Sequence, residues 1–217
     1  MKLGLTNNQL KIIAMITMTI DHIGLYMPQY LFLRIIGRLA FPIYAYMIAE
    51  GCVHTRNTWR YLGSVAAMAA LCQIVQFVVT GSLHMSILVT FSLSILLVAL
   101  LKEKQWFAAT AAWIGAFLIC NIPIPGTDFR VDYGFIGVMI PVVLYLVKNK
   151  WLKCLVCAIM LCALAINSSY VQWYALCAVP LLLLYNGQRG KLQIKQLFYW
   201  YYPAHLAIIY CVFTYMI

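Results

Sequence analysis

TIDHIGLYMPQYLFLRIIGRLAFPIYAYMIAEGCVHTRNTWR, residues 19–60, is the stretch that decides the fold. It contains two of the five acidic residues, two of the four histidines and four of the fifteen Lys and Arg residues, although its remaining sequence is apolar. A side chain such as Asp21, His22 or Glu50 is expensive to place in hydrocarbon, at several kcal/mol for each group. Ionisable residues kept within apolar sequence therefore predict a functional site inside a membrane protein.

The composition of the whole chain supports a membrane environment. The chain has 217 residues, of which 65% are hydrophobic and 9% are charged, whereas a soluble domain has about 25% charged residues. We expect one integral membrane domain over residues 1–217, because no room remains for a separate soluble domain. The net charge of +10 does not indicate nucleic acid as a partner. The basic residues fall between apolar runs, which is the pattern that membrane topology produces.

Apolar runs of about the length that a membrane-spanning helix needs, ~20 residues, recur along the chain. The strict alternation of barrel strands is not seen, so the runs predict an all-α helical bundle. We expect the first run to be retained as a span, because it contains Asp21 and His22 and lacks a small-residue cleavage site. The nine predicted transmembrane helices are residues 9–27, 35–53, 59–80, 85–101, 105–121, 134–148, 151–167, 170–185 and 198–217.

Lys and Arg accumulate in alternate connections between these spans, together with the N-terminus. The positive-inside rule then predicts a multi-pass protein of the cytoplasmic membrane, with the N-terminus in the cytosol and the C-terminus outside. The longest connection, residues 121–134, lies on the outer side and holds Asp128, Arg130 and Asp132. These charges are explained equally well by a solvated loop and by a lip that faces a substrate.

His22 is the strongest candidate for a catalytic residue. A lone histidine in a membrane helix is often only a hydrogen-bonding contact between helices. Here Asp21 is adjacent, Arg38 and Glu50 lie in the next span and His205 lies in the last. Intramembrane ionisable groups are functional candidates by default, so we interpret this set as a site in the bundle interior.

Two roles are open for Asp21. Adjacent residues on a helix point about 100° apart, so Asp21 cannot orient the ring of His22 from its own helix. The interpretation that we favour is an ion pair with Arg34 or Arg38 across the first hairpin. The alternative is a direct role in the site.

The end of the second span carries a set of groups that suit phosphate. Arginine forks with hydroxyl and amide donors bind phosphate well, although a positive-inside loop would also be basic. The set consists of Glu50, His54, Thr55, Arg56, Asn57 and Arg60.

Lys11 lies eleven residues before His22, roughly 16 Å along a helix and on nearly the same face. This spacing would suit a groove for a long, anionic, thioester-bearing donor. The alternative is an ordinary snorkelling anchor at the end of a span.

The last span contains Pro203, which opens the helix backbone just before His205. The aromatic residues ahead of the proline favour an interfacial belt over stacking on a base. Cys154 and Cys157 form a lone C-x-x-C without a second pair or a nearby histidine, so no metal site is predicted.

Six motifs follow one another between Lys11 and Leu206: I-D-H-I-G, R-I-I-G-R-L-A-F-P, A-E-G-C-V-H-T-R-N, V-D-Y-G-F-I-G, Y-N-G-Q-R-G and F-Y-W-Y-Y-P-A-H-L. Together they resemble the TraX family of membrane proteins. That family is named for acetylating the N-terminus of a conjugative pilin. It looks distantly related to multi-span acyltransferases that acetylate sugars with acetyl-CoA, including the lysosomal heparan glucosaminide acetyltransferase.

The resemblance implies an activity and a set of site residues. Those relatives place a catalytic histidine in the first span, and some precede it by an arginine eleven residues upstream. Lys11 and His22 hold that spacing here, with lysine in place of arginine. The resemblance implies acetyl-CoA as the donor, no metal, and His22 as general base. It also implies a site lined by Arg38, Glu50, His54, Arg56 and His205.

We therefore expect a membrane acetyltransferase that takes cytosolic acetyl-CoA and binds its phosphates through Arg56, Arg60 and Lys11. The acceptor is an amine or a hydroxyl, on a pilin N-terminus or a glycan. The main alternative is a small proton-coupled transporter that uses the same buried residues. A non-catalytic assembly factor is the third candidate. The sequence leaves open the acceptor, any passage of acetyl across the bilayer, and whether the protein is a homo-oligomer.

Overall fold

The computed structural model describes residues 3–190 and 195–215, with the backbone alone for 195–199 and 215. This part of the chain is helical, and its only extended pairings are two isolated β-bridges. The helices are α1 (Asn7–Tyr26), α2 (Leu31–Gly37), α3 (Ala40–His54), α4 (Thr58–Thr80), α5 (Ile87–Lys102), α6 (Trp106–Asn121), α7 (Gly134–Leu146), α8 (Lys150–Ile166), the 3-10 helix η1 (Tyr170–Cys177), α9 (Ala178–Leu183) and α10 (Lys195–Tyr215).

Two pairs of these helices continue one another. The α2 and α3 helices form one segment, Leu31–His54, interrupted by a turn at Arg38, and η1 and α9 form the segment Tyr170–Leu183. The described residues therefore contain nine helical segments, at the nine places where the sequence predicts spans. The prediction of an all-α fold is confirmed.

The helical segments differ in whether they are long enough to cross a membrane. In the described part of the chain, Leu31–His54 and Thr58–Thr80 are long and apolar enough to cross a membrane. Four further apolar helices are shorter, and the 13 residues of α7 extend only ~20 Å against a hydrocarbon core of ~30 Å. The apolar helices are consistent with a membrane protein, and nine complete crossings stay a prediction.

Local sequence sets several helix ends. Thr6 caps α1 in a capping box with Gln9, and the Asn57 side chain caps α4 by accepting from the Arg60 backbone N–H at 2.9 Å. Gly81 ends α4 with φ of 69°, a left-handed conformation that glycine adopts without a Cβ penalty. Pro141 and Pro203 lie inside α7 and α10.

The chain divides into two compact units. The first unit comprises Met1–Met47 and Lys150–Ile217, and the second comprises Ile48–Asn149. The expectation of one domain over residues 1–217 stays a prediction beside this division.

In the first unit, α1 packs against α2 and α10, and α8 packs against η1 and α9. In the second unit, α5 contacts α4, α6 and α7. The buried Ser94 of α5 donates to the Val138 carbonyl of α7 at 2.7 Å, so a polar group fixes the contact between these two helices.

Candidate functional site

Two glycines let α1 and α2 approach each other closely in the first unit. A Cβ added at Gly24 would lie 2.9 Å from the Leu33 Cβ, and one added at Gly37 would collide with the Asp21 carboxylate. Because these positions lack a Cβ, the Asp21 side chain can lie against the α2 backbone. The short hairpin from α1 to α2 thus brings the charged groups of both helices together.

Asp21 is paired with both arginines of that hairpin. Arg34 Nη1 donates to Asp21 Oδ2 at 2.7 Å, and Arg38 Nη2 donates to both carboxylate oxygens at 2.5 Å. The side chains of Asp21 and Arg38 are 14% and 12% exposed, so this is a largely buried ion pair. The favoured ion-pair prediction is confirmed, with two partners in place of one.

Gln172 of η1 joins this cluster and was not predicted from the sequence. Arg38 Nη1 donates to Gln172 Oε1 at 3.3 Å, which fixes the orientation of the amide. Gln172 is only 4% exposed, and its Nε2 has no hydrogen-bond acceptor among the residues that the structure describes. A buried donor left without an acceptor costs about 1–3 kcal/mol, so Nε2 is suited to a ligand oxygen. The available signal was one amide within the apolar run 170–185.

His22 and His205 lie side by side in α1 and α10. Their ring centroids are 5.1 Å apart at an interplanar angle of 81°. His22 Nδ1 lies 2.7 Å from the Met18 carbonyl oxygen, and His205 Nδ1 lies 2.9 Å from that of Tyr201. A carbonyl only accepts, so Nδ1 carries the hydrogen in each neutral ring and Nε2 keeps its lone pair. Two basic nitrogens are therefore available at this place.

The His205 ring is enclosed by neighbouring tyrosines. Tyr201 stacks on it at 5.1 Å between centroids, and Tyr202 meets it edge-on at 5.4 Å. The Tyr201 hydroxyl also donates to the Met15 carbonyl at 3.2 Å and shares a hydrogen bond with the Thr19 hydroxyl. Tyr201 therefore packs on α1, and the expectation of an interfacial belt stays a prediction.

His205 is 5% exposed, and its Nε2 is buried without a partner in residues 3–190 and 195–215. The first unit thus pairs four predicted site residues, Asp21 with Arg38 and His22 with His205, and the adjacent positions 21 and 22 of α1 link the two pairs. Lys11 lies on α1 three turns before His22 and is half-buried.

The other predicted site residues lie in the second unit, around the turn from α3 to α4. His54 Nδ1 lies 2.9 Å from the Glu50 carbonyl oxygen and 3.8 Å from its carboxylate. Glu50 is buried, whereas His54, Arg56, Asn57 and Arg60 are exposed. The Asn57 side-chain oxygen accepts the capping bond, and its amide N–H groups are the donors that an anionic ligand would use.

Lys102, at the end of α5, is a further cation at this turn. Its Nζ donates to the carbonyl oxygens of Thr55 at 3.0 Å and Cys52 at 3.3 Å, and to Thr58 Oγ1 at 3.3 Å. It was predicted only as one of the basic residues in the connections that indicate topology. Arg56, Arg60 and Lys102 make the turn cationic, as a phosphate site requires. Binding of the acetyl-CoA phosphates by Arg56 and Arg60 stays a prediction.

Comparison with known proteins identifies the family to which this chain belongs. The family model described as TraX protein matches residues 6–213. The chain belongs to the TraX family. This TraX-family chain is 37% identical over 70 residues to the "Probable fimbrial assembly protein FimC, serogroup H1" of Dichelobacter nodosus, covering 30% of this chain and 29% of that protein.

A second relative of this TraX-family chain is the "Uncharacterized protein RP591" of Rickettsia prowazekii (strain Madrid E). It is 54% identical over 44 residues, covering 19% of this chain and 18% of that protein. The matched segments thus span less than a third of either relative's length. No solved structure matches the chain.

Proposed function

We propose that this chain is a membrane acetyltransferase that moves an acetyl group from acetyl-CoA to an amine or hydroxyl acceptor. The observation that carries the proposal is the pair of imidazoles at 22 and 205. Each has its Nδ1 bonded to a carbonyl of its own helix, which leaves Nε2 as a base. His205 Nε2 is buried without a partner in the described residues, and membership in the TraX family supports the assignment.

His22 is the proposed general base. Its Nε2 takes the proton from the acceptor nitrogen or oxygen as that atom attacks the thioester carbonyl carbon. The tetrahedral intermediate collapses by breaking the carbon–sulfur bond, and the imidazolium returns its proton to the departing CoA sulfur. A neutral imidazole is a base that can accept this proton at pH 7.

Arg38 and Gln172 are the proposed donors to the developing oxyanion. Asp21 and Gln172 Oε1 hold the Arg38 guanidinium from two directions, and the Gln172 amide presents its N–H groups from a buried position. Fixed donors in a water-poor site stabilise a developing charge strongly. A protonated His205 could also donate to the oxyanion, but in the neutral ring its bond to Tyr201 leaves Nε2 as an acceptor.

The phosphates of acetyl-CoA are proposed to bind at the α3–α4 turn. Arg56 and Arg60 are exposed there, with Lys102 fixed on the end of α3 and His54 and Asn57 beside them. Lys11 of the first unit is the further cation proposed for acetyl-CoA. Glu50, beneath His54, is proposed to hold that imidazole in place.

The acceptor is proposed to be a pilus protein or a glycan. One relative's name as a probable fimbrial assembly protein supports a pilus protein. We propose a multi-pass arrangement in the cytoplasmic membrane with a cytosolic N-terminus, supported by the apolar helices and the alternation of basic connections. Reporter fusions within residues 103–105 and 122–133 should then report opposite sides.

The activity is tested with purified full-length protein in lipid nanodiscs and acetyl-CoA labelled in the acetyl group. Free CoA thiol and labelled product are measured with pilin-like peptides and amino sugars as acceptors. We expect one thiol released for each acetyl transferred, together with thermal stabilisation by CoA. A transporter of another solute would show neither thiol release nor stabilisation. Stabilisation by CoA without any thiol release would favour the assembly factor.

A further inference from the structure

An open pocket of about 510 Å³ lies in the second unit, apart from the residues assigned to acetyl transfer. It is formed by the connection from α4 to α5 and the connection from α6 to α7. Met85 N–H donates to the Arg130 carbonyl at 2.8 Å, and Asp132 N–H donates to the Met85 carbonyl at 3.1 Å, which ties the two connections together. The pocket is lined by Ser82, His84, Thr127, Asp128, Phe129 and Arg130.

A carboxylate is fixed on one side of this pocket. Asp128 Oδ2 accepts from Ser82 Oγ at 2.5 Å, and Oδ1 accepts from the Leu83 backbone N–H at 2.9 Å. These hydrogen bonds hold the pKa of Asp128 below its usual value, so the group is charged at neutral pH. Both oxygens keep a further lone pair for a donor from a ligand.

Two cationic or potentially cationic groups share the same pocket. The Arg130 side chain is exposed and forms no hydrogen bond or ion pair with the described part of the chain. His84 is half-buried, and this burial, together with the nearby Arg130, lowers its pKa. Because the guanidinium disfavours a second positive charge beside it, an anion placed against both groups would relieve that repulsion. The arginine fork suits a phosphate in particular.

The surroundings of the pocket indicate where that phosphate comes from. The pocket directly follows α4, which is long and apolar enough to cross a membrane. The α4 side chains before it face outward, with Ile74 63% and Val78 77% exposed, and Ile122 on the other connection is 55% exposed. Apolar side chains that end at a charged pocket are typical of the depth where lipid headgroups lie.

We propose that this pocket binds a phospholipid headgroup, with its phosphate against Arg130 and His84. Asp128 accepts a hydrogen bond from the hydroxyl or ammonium group that the headgroup carries beyond the phosphate. This binding is independent of acetyl transfer. It predicts preference for phosphatidylglycerol or phosphatidylethanolamine over phosphatidylcholine, whose headgroup has no such donor.

The test compares the full-length protein in nanodiscs of phosphatidylcholine alone and of phosphatidylcholine with phosphatidylglycerol or phosphatidylethanolamine. Retained lipid is counted by native mass spectrometry, and thermal unfolding is measured. We expect Arg130→Gln and His84→Gln to retain the added lipid about tenfold less well. Asp128→Asn should lose the preference over phosphatidylcholine. Lys148→Gln, which removes a cation elsewhere in the unit, should behave as the wild type.

Equal retention by wild type and Arg130→Gln would overturn the proposal. Stabilisation by millimolar inorganic phosphate alone, with no preference among lipids, would identify a site for the free anion and would also overturn it. A variant enters the comparison only if its melting temperature in pure phosphatidylcholine matches the wild type. His84→Gln keeps the test decisive if Arg130→Gln does not fold.

Discussion

The hydrogen bonds of single side chains define the chemistry of the first unit. In the neutral imidazoles at 22 and 205, Nδ1 carries the hydrogen because its carbonyl partner can only accept a hydrogen bond. Nε2 of each ring is therefore available as a base. Arg38 is held by Asp21 and oriented toward Gln172. The role of each group in the proposed reaction follows from which of its atoms is already engaged.

Substitution of Gln172 distinguishes a catalytic role of its amide from a structural one. Gln172→Glu keeps an oxygen for Arg38 but replaces the N–H groups with an acceptor. We expect a stable protein whose kcat falls by tenfold or more, since loss of one oxyanion donor costs about 10²–10³ in well-studied sites. The KM for acetyl-CoA should stay within about twofold. Full activity of Gln172→Glu, or a kcat loss that tracks a lower melting temperature, would contradict the assignment.

Asp21 should dominate the stability of the hairpin. Asp21→Asn leaves two neighbouring, mostly buried guanidinium groups without their carboxylate. We expect the free energy of unfolding to fall by about 3 kcal/mol or more. Adding Arg38→Gln should recover part of that loss, because one of the two cations is removed. Glu103→Gln, at an exposed carboxylate that accepts from Trp59, is the control and should cost less than about 1 kcal/mol. Denaturant titration in detergent measures all four proteins.

The charged residues of the site were easier to predict from the sequence than the contacts that they make. Asp21, His22, Arg38 and His205 stand out because a charge in apolar sequence needs a physical reason. Gln172 and Tyr201 do not stand out, because an amide or a phenol in an apolar run is common at helix contacts. Their positions follow from packing between elements distant in sequence, which local patterns do not encode.

At the scale of elements, the glycines of the first hairpin determine how closely its helices approach. A Cβ at Gly37 would collide with Asp21, whereas a Cβ at Gly115 in α6 meets nothing within 4 Å. We expect Gly37→Ala to lower the free energy of unfolding by about 1–3 kcal/mol. Gly115→Ala should raise it by about 0.5 kcal/mol, because alanine favours the helix. Equal effects of the two substitutions would show that α1 and α2 do not meet as described.

The paired connections of the second unit predict a dependence of stability on pH. The pKa of His84 is lowered by burial and by Arg130, and raised in part by Asp128. The unfolded chain therefore binds the proton first as pH falls below about 6.5, and the folded state loses stability there. Above that pH both states are neutral and His84 contributes no dependence.

We expect His84→Gln to lose less stability than the wild type between pH 7.5 and pH 5.0. The measurement is thermal unfolding in phosphatidylcholine nanodiscs, where headgroup binding does not add to the effect. Identical losses in both proteins would show that His84 does not titrate against Arg130 in the folded state.

The element pattern was predictable for a physical reason. Apolar runs bounded by Gly, Pro and charged residues fix where helices can form, and the nine helical segments follow the nine predicted runs. The turn at Arg38 inside Leu31–His54 and the 3-10 start of Tyr170–Leu183 were not predicted. Arg38 lies at the first of these two irregularities and Gln172 at the second, and the two side chains contact each other.

At the scale of the whole molecule, the predicted site residues divide between the two compact units. The imidazoles at 22 and 205 and the arginines paired with Asp21 lie in the first, and the cationic turn with His54, Arg56 and Arg60 lies in the second. The sequence predicted both sets of residues but not this division. Chemistry and donor binding can consequently be tested as separate properties.

The most direct test of the central claim is the single-turnover rate of acetyl transfer from acetyl-CoA, measured for wild type and His22→Gln at saturating acetyl-CoA. Asn167→Ala is the control, because Asn167 also bonds the carbonyl four residues back but is exposed. We expect His22→Gln to bind CoA with unchanged affinity and to transfer acetyl at least about 10²-fold more slowly, while the control keeps the wild-type rate. Transfer by His22→Gln at the wild-type rate would contradict the central claim.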